Sequence, residues 1–148
     1  MKPWTLYNYQ FNVCGSNNTS PVGRTKTAPA EDADVDEVKL AVFSCSNHGT
    51  SECGRAITLS ARELIDCPAK GFFNVYGNAA RKDKHDYVVH LGDYIYEDAS
   101  GGPRAHKPAN KLFTLYDYRT RHGQYRTDND LQLLAQNFAW IPTWDDHG

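Results

Sequence analysis

The sequence lacks a C-x-x-C pair: its four cysteines, Cys14, Cys45, Cys53 and Cys67, are spread through 148 residues, which argues against a zinc ribbon or a thioredoxin-type motif. It also lacks any Lys/Arg-dense run. With 16 Lys+Arg against 18 Asp+Glu and a formal net charge of -2, nothing could neutralise a row of phosphates, so nucleic-acid binding is not expected. No apolar stretch reaches the length of a membrane span. The opening residues, from Met1 to Gln10, lack the continuous apolar segment of a secretory signal and read like the middle of a β-strand. What remains is ordinary globular composition, 40% hydrophobic and 23% charged, which excludes a disordered, collagenous or coiled-coil chain. The length suits one domain, or one domain and a fragment of a second.

Tyr7, Tyr9, Phe11 and Val13 alternate with Asn8, Gln10 and Asn12, the period-2 pattern of a half-buried strand. Gly15-Ser16-Asn17-Asn18 supplies turn chemistry and Val22 to Thr27 a return strand, so a hairpin is expected. Asn17-Asn18-Thr19 and Asn18-Thr19-Ser20 both fit the N-glycosylation pattern. Ala28 to Glu37 carries carboxylates and almost no aliphatic bulk, and reads as a linker. Beyond it come three apolar runs: Val38 to Phe43 ending at Ser44-Cys45-Ser46-Asn47, Tyr87 to Leu91 ending at Gly92-Asp93, and Trp140 to Trp144 ending at Asp145-Asp146-His147. Helical spacing between Phe72 and Lys84 joins the first two into a βαβ unit. Thr114 with Asp117, and Thr127 with Asp130, fit the capping pattern and predict helix starts near Leu115 and Asp128.

Parallel strands put their carboxyl ends on one rim, where open α/β sheets bind ligands. Cys45, Asp93 with Tyr96, and Asp146 with His147 therefore converge. Thiolate, phenolate and imidazole suit iron, oxygen donors suit calcium or magnesium, and a carboxylate can bridge two cations. A two-metal hydrolase needs such parts. The other candidates have simpler readings. His90 sits among apolar neighbours as a hydrogen-bonded core histidine, and Tyr94 is a core aromatic. His106 and His122 are surface or helix residues, and Arg119, Arg121 and Arg126 form a solvated helix face.

Several motifs carry a resemblance: Tyr9-Gln10-Phe11, Ser20 to Pro29, Val42 to Asn47, His90-Leu91-Gly92-Asp93-Tyr94-Ile95-Tyr96-Glu97, Arg121 to Arg126, and Thr143 to His147. Together they resemble the PhoD family of alkaline phosphatases and phosphodiesterases, in its fungal form. The resemblance implies an α/β fold: part of a metallophosphoesterase α/β sandwich (38–148), an acidic linker (29–37), and before it the last hairpin (1–28) of a fibronectin-like β-sandwich. It implies hydrolysis of phosphate mono- and diesters at an iron(III) and calcium centre. Cys45 and Tyr96 would be iron ligands, Asp93 the bridging carboxylate, Asp146 a calcium-side residue and His147 a phosphate contact. Family members are several times longer and are secreted; their remaining ligands would follow His147, so the expectation is a fragment that is inactive alone. Its rivals are a non-catalytic phosphate- or metal-binding fragment and an extracellular fibronectin-like interaction module. Residues 48–70 match nothing in the family. They are either a surface insertion, closed by a Cys53–Cys67 disulfide, or the translation of a retained intron.

Overall fold

The computed structural model describes residues 1–49, 73–98 and 104–147, and the backbone of 56–58. The Cys53–Cys67 pairing and nearly all of the 48–70 segment fall outside the described residues.

The hairpin forms as the turn residues predict. β1 (Leu6–Tyr9) pairs antiparallel with β2 (Gly23–Lys26), in the register Tyr7 to Thr25 and Tyr9 to Gly23. Its turn closes through the Val13 amide on the Asn18 carbonyl at 3.0 Å. Tyr9 lies flat over Gly23, where a Cβ would collide with its ring. The expected half-buried face is only partly realised: Tyr7 is half-buried, but Phe11 and Val13 remain 69% and 59% exposed. Charge fixes the hairpin to the rest of the molecule. Arg24 grips Asp83 and the Asn137 carbonyl, while Lys26 meets Asp86 and sits 3.4 Å over the Trp4 ring. No helix or strand occurs between residues 27 and 39.

β3 (Leu40–Phe43) is the centre of the second sheet, with β4 (Ala56–Thr58) antiparallel on one side. After α1 (Asn74–Lys82), β5 (Tyr87–His90) pairs parallel with β3, completing the expected βαβ unit. Two further helices follow, α2 (Leu115–Tyr125) and α3 (Asn129–Asn137), and then β6 (Ala139–Pro142) pairs parallel with β5. The order across the sheet is β4-β3-β5-β6. Among the described residues, no helix is long and apolar enough to cross a membrane.

Strand alternation decides which side is core. Ala41, Phe43, Val88 and His90 point to one face and are buried, and there they meet Val75, Tyr76 and Ala79 of α1 and Leu131 and Leu134 of α3. The α1 and α3 helices approach closely because position 77 is glycine, where a Cβ would run into the Asp130 carboxylate. α2 starts with the expected capping box, in which Thr114 and Asp117 satisfy one another's backbone amides. α3 does not. Its N-cap is Asp128, whose carboxylate accepts from the Asp130 and Leu131 amides at 3.1 Å, while the Thr127 hydroxyl donates to the Gln124 carbonyl at 2.7 Å. The carboxylate, one residue closer to the helix, takes the free amides that the Thr127 pattern had been expected to serve.

Candidate metal centre

Three strand ends arrive at one rim, and hydrogen bonds beyond the strands lock them together. The Cys45 amide donates to the Gly92 carbonyl at 3.2 Å, Ser46 to the Asp93 carbonyl at 2.8 Å, and Thr143 to the His90 carbonyl at 2.9 Å. Cys45 and Asp93 both adopt left-handed backbone angles, with φ of 59° and 53°. Such angles cost non-glycine residues energy, and they turn both side chains off the strand direction towards the rim. Gly92 between them has φ 112°, and a Cβ there would lie 2.5 Å from that of Asp145, so only glycine lets β5 and the segment after β6 come this close.

The result is a compact set of donors around the Asp93 carboxylate, which is 7% exposed. Its Oδ2 lies 3.8 Å from Cys45 Sγ and accepts the Tyr96 hydroxyl at 3.2 Å. Its Oδ1 accepts the His147 amide at 3.1 Å. Asp93, Asp146 and His147 each offer a ligand atom, all within 4.8 Å of one another. Thus all five residues singled out in the sequence come together, in two groups that share Asp93. Ligand atoms about 2.0–2.3 Å from a common cation sit roughly 3–4 Å from each other, so the Cys45, Asp93 and Tyr96 spacing fits a shared ion. The electrostatics point the same way. Burial, then the Cys45 thiol and the Asp93 carboxylate, all push the Tyr96 phenol above its usual range, so a phenolate here needs a cation to offset the accumulated charge.

Residues outside the sequence-derived set hold this one in place. The Glu97 carboxylate accepts from His147 Nδ1 at 3.0 Å and raises the imidazole's affinity for its proton, while the Tyr96 ring lies 4.6 Å from that of His147. Behind the rim, His90 is fully buried, as its apolar neighbours predicted. The Gly92 amide donates to His90 Nδ1 at 3.3 Å, so the ring proton is on Nε2, which meets Ser46 Oγ at 3.0 Å and the Tyr76 hydroxyl at 3.1 Å. Ser46 and Tyr76 also bond each other. One imidazole therefore ties the residue after Cys45 to the residue before Asp93.

Two expectations are corrected. Arg121 is not on a solvated face: it is fully buried, because the 104–112 loop folds back over α2. His106 is likewise 5% exposed, inside that loop and 5.8 Å from the His48 ring. Arg119 and Arg126 are exposed, and so is His122, in accord with the helix-surface reading.

The sequence and the fold both match known proteins. A family model described as PhoD-like phosphatase matches residues 40–148. Alkaline phosphatase D of Bacillus subtilis (strain 168) is 36% identical over 154 residues, covering 99% of this chain and 22% of the relative. A solved structure described as the structure of PhoD superposes with a TM-score of 0.76 at 36% identity, covering 98% of this chain and 24% of that one. The chain thus spans about a quarter or less of the length of these relatives. The matched residues 40–148 contain every strand end that supplies a donor, and the chain belongs to the PhoD-like phosphatase family.

Proposed function

We propose that this chain carries part of a two-metal centre that hydrolyses phosphate mono- and diesters, in a secreted protein. Cys45 and Tyr96 would hold an iron(III) ion, Asp93 would be the carboxylate shared with a second cation, Asp146 would stand on the calcium side, and His147 would contact the phosphate. Thiolate and phenolate select the first metal, and carboxylate oxygens suit the second. Two cations bound there would supply an activated water and offset charge on the phosphate oxygens. The chain's own residues keep the donors aligned: Gly92 permits the close approach, His90 joins two strand ends, and Glu97 orients His147. In this reading residues 1–28 are the last hairpin of a fibronectin-like β domain, 29–37 a linker, and 38–148 the first part of a metallophosphoesterase sandwich. The observation that carries it is the meeting of Cys45 Sγ and the Tyr96 hydroxyl on one oxygen of Asp93, at 3.8 and 3.2 Å.

Iron(III) titration of the purified chain tests it. Phenolate and thiolate ligation gives a visible charge-transfer band, which is expected to disappear in Tyr96→Phe and to shift or fade in Cys45→Ser. A colourless titration, or a band indifferent to both changes, removes the assignment. Five side chains shared between two cations are fewer than the roughly six to eight oxygens calcium alone takes, so the 148-residue polypeptide by itself is expected to be catalytically silent. Robust phosphatase turnover with added iron and calcium would overturn that expectation.

A further inference from the structure

Tyr96 stands on the loop after β5, six residues beyond the strand's last residue, so something other than the sheet must hold it. Arg121 of α2 is fully buried, yet among the described residues no carboxylate pairs with it. Its guanidinium donates only to backbone carbonyls: Nη1 to Tyr96 at 2.6 Å and to Asp98 at 3.4 Å, Nη2 to Pro108 at 2.8 Å, and Nε to Lys107 at 3.2 Å. One turn further along the same helix face, the Tyr125 hydroxyl receives the His48 amide at 3.1 Å. The helix therefore holds the Tyr96 carbonyl through Arg121. A buried guanidinium without a counter-charge is costly, and four carbonyl partners are what make it tolerable. A methionine or leucine could fill such a volume without that cost. The planar fork offers something they cannot, which is simultaneous hydrogen bonding to two stretches of the chain between β5 and α2.

We infer that Arg121 is a positioning residue for the phenol donor: by clasping the Tyr96 and Asp98 carbonyls against the 107–108 segment, it sets the distance between Tyr96 Oη and the Asp93 carboxylate. This rests on the reading of Tyr96 as a metal donor, but its geometry can be tested without metal. The Tyr96 and His147 rings lie 4.6 Å apart and the Phe43 and Tyr76 rings 4.5 Å apart, one contact at the rim and one in the core. NMR of chain labelled on tyrosine should show both contacts. Arg121→Met should lose the first and keep the second, and Arg121→Lys, retaining the charge and some donors, should partly restore the first. With iron(III), the same order should appear in the charge-transfer band, with affinity lowered roughly 10- to 100-fold in Arg121→Met, as for other supports of metal ligands.

Retention of the Tyr96–His147 contact in Arg121→Met overturns the inference whatever the metal does. If Arg121→Met loses the core contact as well, Arg121→Lys decides: an unchanged rim in a folded Lys variant overturns it, and a weakened rim over an intact core supports it. A wild-type chain that binds no iron, but whose rim contact depends on Arg121, removes the metal reading and leaves the positioning role standing.

Discussion

Acidification should load a penalty onto His90. Burial holds its imidazole down at about 4, against 6.5 for a solvated histidine. The unfolded chain therefore takes up a proton as the pH falls through 6.5, while the folded chain stays neutral until about 4. The sign follows: stability is complete above 6.5, declines as the pH falls, and becomes insensitive to this group below about 4. One pKa unit is about 1.4 kcal/mol, so the loss is about 2 kcal/mol by pH 5 and about 3 kcal/mol by pH 4. Against a typical domain stability of roughly 5–15 kcal/mol, that is readily measured. His48, also held at about 4 chiefly by burial, acts in the same direction.

The assay is urea unfolding of the metal-free chain at several pH values between 7 and 5, comparing wild type with His90→Gln. Glutamine does not titrate, so absolute stabilities at pH 7 need not agree; the difference in slope is what matters. Asp83, held down by its hydrogen bond with Arg24, and Asp117, held down by the Thr114 backbone amide, stay ionised through this window and contribute no slope of their own. Wild type should lose about 2 kcal/mol more than His90→Gln over the interval. Parallel pH profiles would refute the reasoning, since they would mean that the imidazole titrates in the folded protein as it does in the unfolded chain.

Asp128→Ala should cost about 2–4 kcal/mol, because it removes the α3 cap and leaves Arg104, bonded at 2.7 Å, without that partner. Thr127→Ala should cost about 0.5–1 kcal/mol, one hydrogen bond; urea midpoints in the reverse order would restore Thr127 as the cap. Gly92→Ala should destabilise by about 3 kcal/mol, from its backbone angle and the collision with Asp145. Thermal unfolding indistinguishable from wild type would show that β5 and the segment after β6 are not held at the distance described.

The sheet and most of the rim were legible because each rests on a local pattern with one physical outcome. Short apolar runs such as Leu40–Phe43 and Tyr87–His90 became parallel strands, and parallel strands joined by a helix must end on the same side, which brings Cys45 and Asp93 together. The capping box at Thr114 was equally local. Arg121 was not legible by the same means, since charged residues on a helix usually face water. Yet α2 contains a trace of the answer. Its one aliphatic side chain, Leu115, is 66% exposed, as Tyr116 is at 78%, so the helix cannot be held by an apolar stripe. What it buries instead is Arg121 and Tyr125, four residues apart on one face, and both end in hydrogen-bonding groups. A helix of that composition is suited to a surface of unpaired backbone groups rather than to an apolar sheet face. The loops that follow strand ends at a binding rim are such a surface, because their carbonyls and amides have left the ladder and need partners. The polar burial in α2 therefore follows from where Tyr96 stands: it can leave the sheet for the rim only if another element takes over the hydrogen bond of its carbonyl.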